Sequence, residues 1–225
     1  MRQQGKPQAV SSGRTVALAI ALLMTLLLLL SGCGKAKEDV SFPCQLAEDS
    51  LSVTSLFQYS GDNPDCGGQA GEEIASLAVT NQSEKHLTSA KLTAKLADGT
   101  KRVFQLADIP AGQTVWVFAQ DNGSFTSSNT CKELKCEASF AEEPPLLADQ
   151  VAVEAEGISV TLTNLTDEDL ADLTVYCHCL FDGTYFGGST YAYPVDGIPA
   201  GESVTIQAEE CYLGEAAVVR VTRNS

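Results

Sequence analysis

The feature that most constrains this chain is that it contains itself twice. Val79-Thr80-Asn81-Gln82-Ser83, followed by Leu87, returns 83 residues later as Leu162-Thr163-Asn164-Leu165-Thr166, followed by Leu170. The same offset sets Leu92 against Val175, Ala94 against Cys177 and Leu96 against Cys179, apolar against apolar each time. Further on, Ile109-Pro110-Ala111-Gly112-Gln113-Thr114-Val115 returns as Ile198-Pro199-Ala200-Gly201-Glu202-Ser203-Val204 at an offset of 89, so the second copy carries six extra residues (89 minus 83) in the hairpin between. Two matched blocks in the same order argue for a duplicated folding unit.

Each copy reads as strands. Ile158, Val160 and Leu162 alternate with Ser159, Thr161 and Thr163, the period of 2 of a half-buried strand. Leu173, Val175, Cys177, Cys179 and Phe181 follow on one face, with Thr174, Tyr176, His178 and Leu180 on the other, before a hairpin dipeptide at Asp182-Gly183. In the first copy Ala90, Leu92, Ala94 and Leu96 point inward and the turn is Asp98-Gly99. Strands of this length, with turns at roughly ten-residue spacing, predict an all-β chain of two tandem immunoglobulin-like β-sandwich domains. Glu142-Glu143-Pro144-Pro145 is an extended spacer between them, because consecutive prolines favour stiff, extended chain.

The amino terminus fixes the address. Arg2, Lys6 and Arg14 precede an apolar run from Val16 to Leu30, broken only by Thr25. That run of 15 is shorter than the roughly 20 residues that span a bilayer core, so an export signal is expected rather than a membrane helix. The run ends in Leu30-Ser31-Gly32-Cys33, which resembles the lipobox of bacterial lipoproteins. The resemblance implies cleavage after Gly32 and lipidation of the Cys33 sulfur, with palmitate-type acyl chains anchoring the protein to the membrane on its extracytoplasmic side. The expected layout is 1–32 signal peptide, 33–45 lipid-anchored tether, 46–141 first sandwich, 142–146 linker and 147–225 second sandwich.

The pattern from Asn164 to Asp182, with Leu180-Phe181-Asp182-Gly183, is similar to the bacterial FxLYD family of extracytoplasmic sandwich domains. It covers about 50 residues of the second copy. In the first copy Leu96-Ala97-Asp98-Gly99 lacks the aromatic. The resemblance implies a fold and a location but no chemistry.

Composition narrows the partners. From Gly34 onward the chain keeps all 29 acidic residues and 11 of the 14 basic ones, a formal charge of 11 minus 29, or −18, which phosphate would repel. Nucleic acid is therefore excluded as a partner. The membrane through Cys33, and an unidentified extracellular protein or envelope component, remain.

Seven cysteines follow the lipobox: Cys44, Cys66, Cys131, Cys136, Cys177, Cys179 and Cys211. Outside the membrane, disulfides are the default for them. Chain proximity favours Cys44 with Cys66 and Cys131 with Cys136, while Cys211 is the partner for Cys177 or Cys179; an odd count leaves one thiol over. No spacing matches a zinc site, and the histidines are His86, in a polar turn, and His178, on the outward face of its strand. The acidic stretches Asp62 to Asp65 and Asp167 to Asp172 read as solvated turns, and no metal or cofactor is expected. The three Asn-x-Ser/Thr triplets begin at Asn81, Asn122 and Asn164; two occupy the same repeat position, where an Asn side chain bonding nearby backbone explains them better than glycosylation.

No catalytic set converges in sequence, so the expected function is a non-catalytic, lipid-anchored binding or assembly module of the cell envelope. Tyr185, Phe186, Tyr191 and Tyr193, around the inserted residues, form its candidate binding edge. The alternatives are an envelope enzyme or thiol-redox protein using Cys177, His178 and Cys179, and a passive structural spacer.

Overall fold

The computed structural model describes residues 39–126, 129–142 and 146–223. Cys33 and the expected signal, and Glu143-Pro144-Pro145 of the expected linker, lie outside the described residues. The chain divides into Met1–Glu38 and one compact unit, Asp39–Ser225. Among the described residues there are fourteen strands and two short 3-10 turns, and no helix is long and apolar enough to cross a membrane. The expectation of an all-β chain holds.

The duplication is legible in the sheets. In the first copy β2 (Leu51–Asn63), β3 (Gln69–Asn81) and β6 (Thr114–Phe118) form one sheet, extended at its edge by β1 (Cys44–Leu46). Its partner sheet runs β5 (Lys101–Ile109), β4 (His86–Leu96), β7 (Cys131–Ala141). The second copy repeats the order with β8 (Val151–Glu156), β9 (Ser159–Asn164) and β13 (Ser203–Gln207) opposite β12 (Tyr191–Ile198), β10 (Leu170–Phe181) and β14 (Glu215–Arg223). Leu51, Val79 and Val115 from one sheet share a core with Leu92 and Phe104 from the other; Val160 and Leu162 do so with Leu173, Val175 and Val221. Alternation explains the pairing, since each strand sends every second side chain to the buried face.

The turn after β3 and the turn after β9 are built alike. The Asn81 side-chain amide donates to the carbonyls of Lys85, Ile109 and Pro110, and its oxygen accepts from the Ser83 hydroxyl. Asn164 donates to Glu168, Ile198 and Pro199 and accepts from Thr166. Both asparagines are 1% exposed, so their amides are occupied inside the fold, as the turn reading requires.

The copies are not separate beads. The inserted residues form β11 (Thr184–Phe186), reached through the two-residue Asp182-Gly183 turn, in which both residues have positive φ (50° and 73°). β11 pairs antiparallel with β10 on one edge and parallel with β6 on the other. One eight-stranded sheet therefore runs from β1 in the first copy to β12 in the second.

This shared sheet corrects two expectations. His178, expected on an outward face, is fully buried, because β10 is covered on both sides: Val175, Cys177 and Cys179 face the second core, while Tyr176, Leu180 and neighbouring Ala217 and Val219 of β14 pack against the first. Phe181, expected inward, lies at the end of β10, is 45% exposed and rests against Phe186.

Candidate functional site

The seam between the copies is polar at its centre. Asn63 ends β2 and caps the 3-10 turn Pro64–Cys66, its side chain accepting from the Asp65 amide. This turns the Asp65 carboxylate inward, where the backbone amides of Phe118 and Gly188 and the Ser189 hydroxyl donate to it. Burial pushes the Asp65 carboxyl up to about 6 despite these donors. An acidic turn that reads as solvated is instead a clasp on the second copy's insert. A Cβ at Gly188 would stand 1.8 Å from the Gln105 carbonyl oxygen, so only glycine lets the insert lie this close to β5.

A second clasp centres on Asp108. One of its oxygens meets His86 Nε2 at 3.2 Å; the other accepts from Thr190 at 3.2 Å and from Arg220 Nη2 at 3.1 Å. Arg220 also stacks 3.8 Å over the Tyr176 ring. His86 is not in a solvated turn but opens β4 at 2% exposure. His178 Nε2 donates to the Ala107 carbonyl at 2.8 Å, since a carbonyl can only accept, and its Nδ1 meets no partner among the described residues. Burial lowers the His178 imidazole to about 4, so it is neutral at neutral pH.

The cysteines separate into one bond and five thiols among the described residues. Cys179 is joined to Cys211, with Cα atoms 4.8 Å apart, one of the two pairings expected for Cys211. Cys44, Cys66, Cys131, Cys136 and Cys177 are free, which overturns the proximity pairs Cys44 with Cys66 and Cys131 with Cys136. Cys131 and Cys136 lie on one strand, β7, which holds residues five apart at roughly 16 Å, far beyond disulfide reach. Cys44 and Cys66 stand on separate elements, the edge strand β1 and the turn after β2. Cys177 is buried, and burial pushes its thiol up to about 12, the opposite of a reactive thiolate. His178 points away from both neighbouring cysteines, toward Ala107 of the first copy.

Beside the seam lies a cleft of about 230 Å³. The first copy supplies Pro64, Gly67 and Gly68; the second supplies Phe186 and Tyr191. The wall is completed by Cys179 and by Glu210, Tyr212 and Leu213 around the 3-10 turn Glu209–Cys211. The disulfide thus ties the strand under the cleft to the turn that walls it. Tyr191 donates to the Pro64 carbonyl at 3.4 Å, Tyr212 to Asp62 at 2.8 Å, and Tyr193 to Glu210. The Tyr191 phenol is pushed up to about 12 by burial, with the charges of Asp65 and Glu210 acting in the same direction. That of Tyr212 is raised chiefly by its bond to Asp62.

The four aromatics of the expected binding edge therefore divide. Tyr185 and Phe186 are 9% and 5% exposed; Tyr185 packs edge-on to His178, and Phe186 meets Phe118 and Tyr59 in the first core, with one side toward the cleft. Tyr191 lines the cleft and Tyr193 reaches Glu210 beside it. Pro64, Gly67 and Tyr212 carry no local sequence signal of the cleft, because only the folded seam brings residues near 65 against residues near 212. Among the described residues no cluster of His, Cys, Asp and Glu is placed to hold a metal ion.

No protein-family model matches this chain, and no curated protein is similar to it.

Proposed function

We propose that the chain is a lipid-anchored, non-catalytic binding or assembly module of the bacterial cell envelope, held by acyl chains on Cys33 and displayed outside the cytoplasmic membrane. On this reading each copy is an immunoglobulin-like sandwich of the FxLYD type, and the pair acts as one rigid ectodomain. The observation that carries the binding role is the cleft, whose walls come from both copies and meet only when the seam is closed. The anchor rests on Leu30-Ser31-Gly32-Cys33 after the apolar run. Two or three acyl chains suffice for stable attachment, at about 0.8 kcal/mol per buried methylene.

Support for a non-catalytic role comes from the trio that would serve thiol chemistry. Cys179 is already bonded, Cys177 is a buried thiol of raised pKa, and His178 faces the other way. Expression of wild type and Cys33→Ala tests the anchor. The wild type should label with palmitate and fractionate with membranes, whereas Cys33→Ala should do neither; an unchanged membrane fraction would overturn the lipidation reading. The binding role is tested by cross-linking the full wild-type chain on intact cells, where recovery of a saturable partner supports it and its absence favours a passive spacer.

A further inference from the structure

We propose that the cleft between the copies binds a lysine-like side chain, a primary ammonium on an aliphatic stem, presented by an extracellular partner. This rests on the reading of the protein as a binding module and names what that module recognises.

Size comes first. At about 230 Å³ the cleft is smaller than the roughly 300–1,000 Å³ typical of sites for drug-sized ligands, so it suits one side chain rather than a whole cofactor. Its walls are largely apolar and aromatic, with Tyr191, Tyr212 and Phe186 presenting ring surface and Leu213 standing 37% exposed at the rim. Ring faces carry negative charge density and attract cations, and an aliphatic stem is equally at home against them.

Charge then selects the head group. Glu210 lines the cleft and Asp62 stands at its Tyr212 end, each holding a tyrosine hydroxyl. Among the described residues neither carboxylate is paired with a lysine, arginine or histidine. An anionic ligand would be repelled, whereas an ammonium group in the cleft would be attracted by the Glu210 carboxylate on its wall, with the Asp62 carboxylate behind the Tyr212 hydroxyl adding to the attraction. The formal charge of −18 beyond the lipobox adds long-range attraction for a basic partner.

The test uses the full chain in detergent micelles and two probes that differ only in charge and head group, the blocked single residues N-acetyl-lysine-N-methylamide and N-acetyl-norleucine-N-methylamide. Binding is followed by chemical-shift changes of the tyrosine ring protons at low salt. Lysine amide should bind saturably and at least about tenfold more tightly than norleucine amide, and the preference should shrink with added salt. Glu210→Gln should reduce that preference to within about twofold, and Tyr212→Ala, at a side chain 57% exposed and removable without unfolding the core, should weaken lysine amide binding several-fold. Equal binding of the two probes, absence of saturable binding, or lysine binding undisturbed in both variants would overturn the proposal. None of these results bears on membrane attachment or on recovery of a partner from cells, so the proposal and the display reading fail independently.

Discussion

Asn81 and Asn164, 83 residues apart in the chain, perform the same task at the same point of two copies: each amide donates to the carbonyl four residues on and to the two carbonyls at the Ile-Pro step. One side chain thereby joins the end of β3 or β9 to the turn before β4 or β10 and to the turn before β6 or β13. Replacing either asparagine by alanine would leave one buried carbonyl, of Ile109 or Ile198, and two part-buried ones without this donor, at about 1–3 kcal/mol for each group that water cannot reach. Asn81→Ala and Asn164→Ala should each lose on the order of 3 kcal/mol in denaturant unfolding. A silent variant at either site would contradict the shared role.

The seam should govern cooperativity. Gly188→Ala places a methyl group 1.8 Å from a backbone oxygen of β5, a clash that only a shift of the insert can relieve. That shift also withdraws the Gly188 amide from Asp65. The wild type should unfold in one transition, and Gly188→Ala in two of smaller denaturant slope, since less surface is exposed in each step. A single transition with an unchanged slope would show that the clasp does not couple the copies.

The disulfide should stabilise the second copy. Cys179 and Cys211 are separated by 32 residues, and closing a loop of that length stabilises the fold by roughly 3–4 kcal/mol through the unfolded state. Cys211→Ser should lose that amount and widen the cleft, read as raised mobility of Tyr212. Cys177 in the folded wild type should resist alkylation at pH 8 and react only on unfolding.

Acid should act on two buried groups with opposite sign. His178 is held at about 4 when folded, against about 6.5 when unfolded, so between these values the unfolded chain binds more protons. Its contribution is present above about pH 6.5 and is lost as the pH falls toward 4. Asp65 is held at about 6 against an ordinary 3.8, so the folded chain binds more protons in that window, and this group's contribution grows as the pH falls from about 6. His178→Gln should therefore cost more stability at pH 7 than at pH 4.5, and Asp65→Asn more at pH 4.5 than at pH 7. Parallel stability curves for the wild type and both variants would refute the assignment.

Much of the strand plan was legible because alternation of Val160, Leu162 and their equivalents in the first copy is a local signal, and because the Ile-Pro-Ala-Gly turns recur. The hairpin at Asp182-Gly183 was legible for the same reason. The seam was not. Nothing near residue 65 announces that its carboxylate will meet amides 123 residues later, and His178 reads as exposed because a strand's second face looks polar whether water or another sheet covers it. The insert showed itself in sequence as six residues too many, and its purpose became visible only in β11, hydrogen-bonded on both edges. The candidate site was half legible: the aromatic run pointed to Tyr191, while the opposing wall of Pro64 and Gly67 comes from the other copy.

A strand bonded on both edges has a mechanical meaning. Because β11 lies between β10 and β6, one copy cannot pivot on the other without tearing ladder bonds and pulling Gly188 from its slot. The two copies are welded rather than hinged. Force applied to either copy would be shared by the ladder bonds on both edges of β11 and so carried into both cores at once.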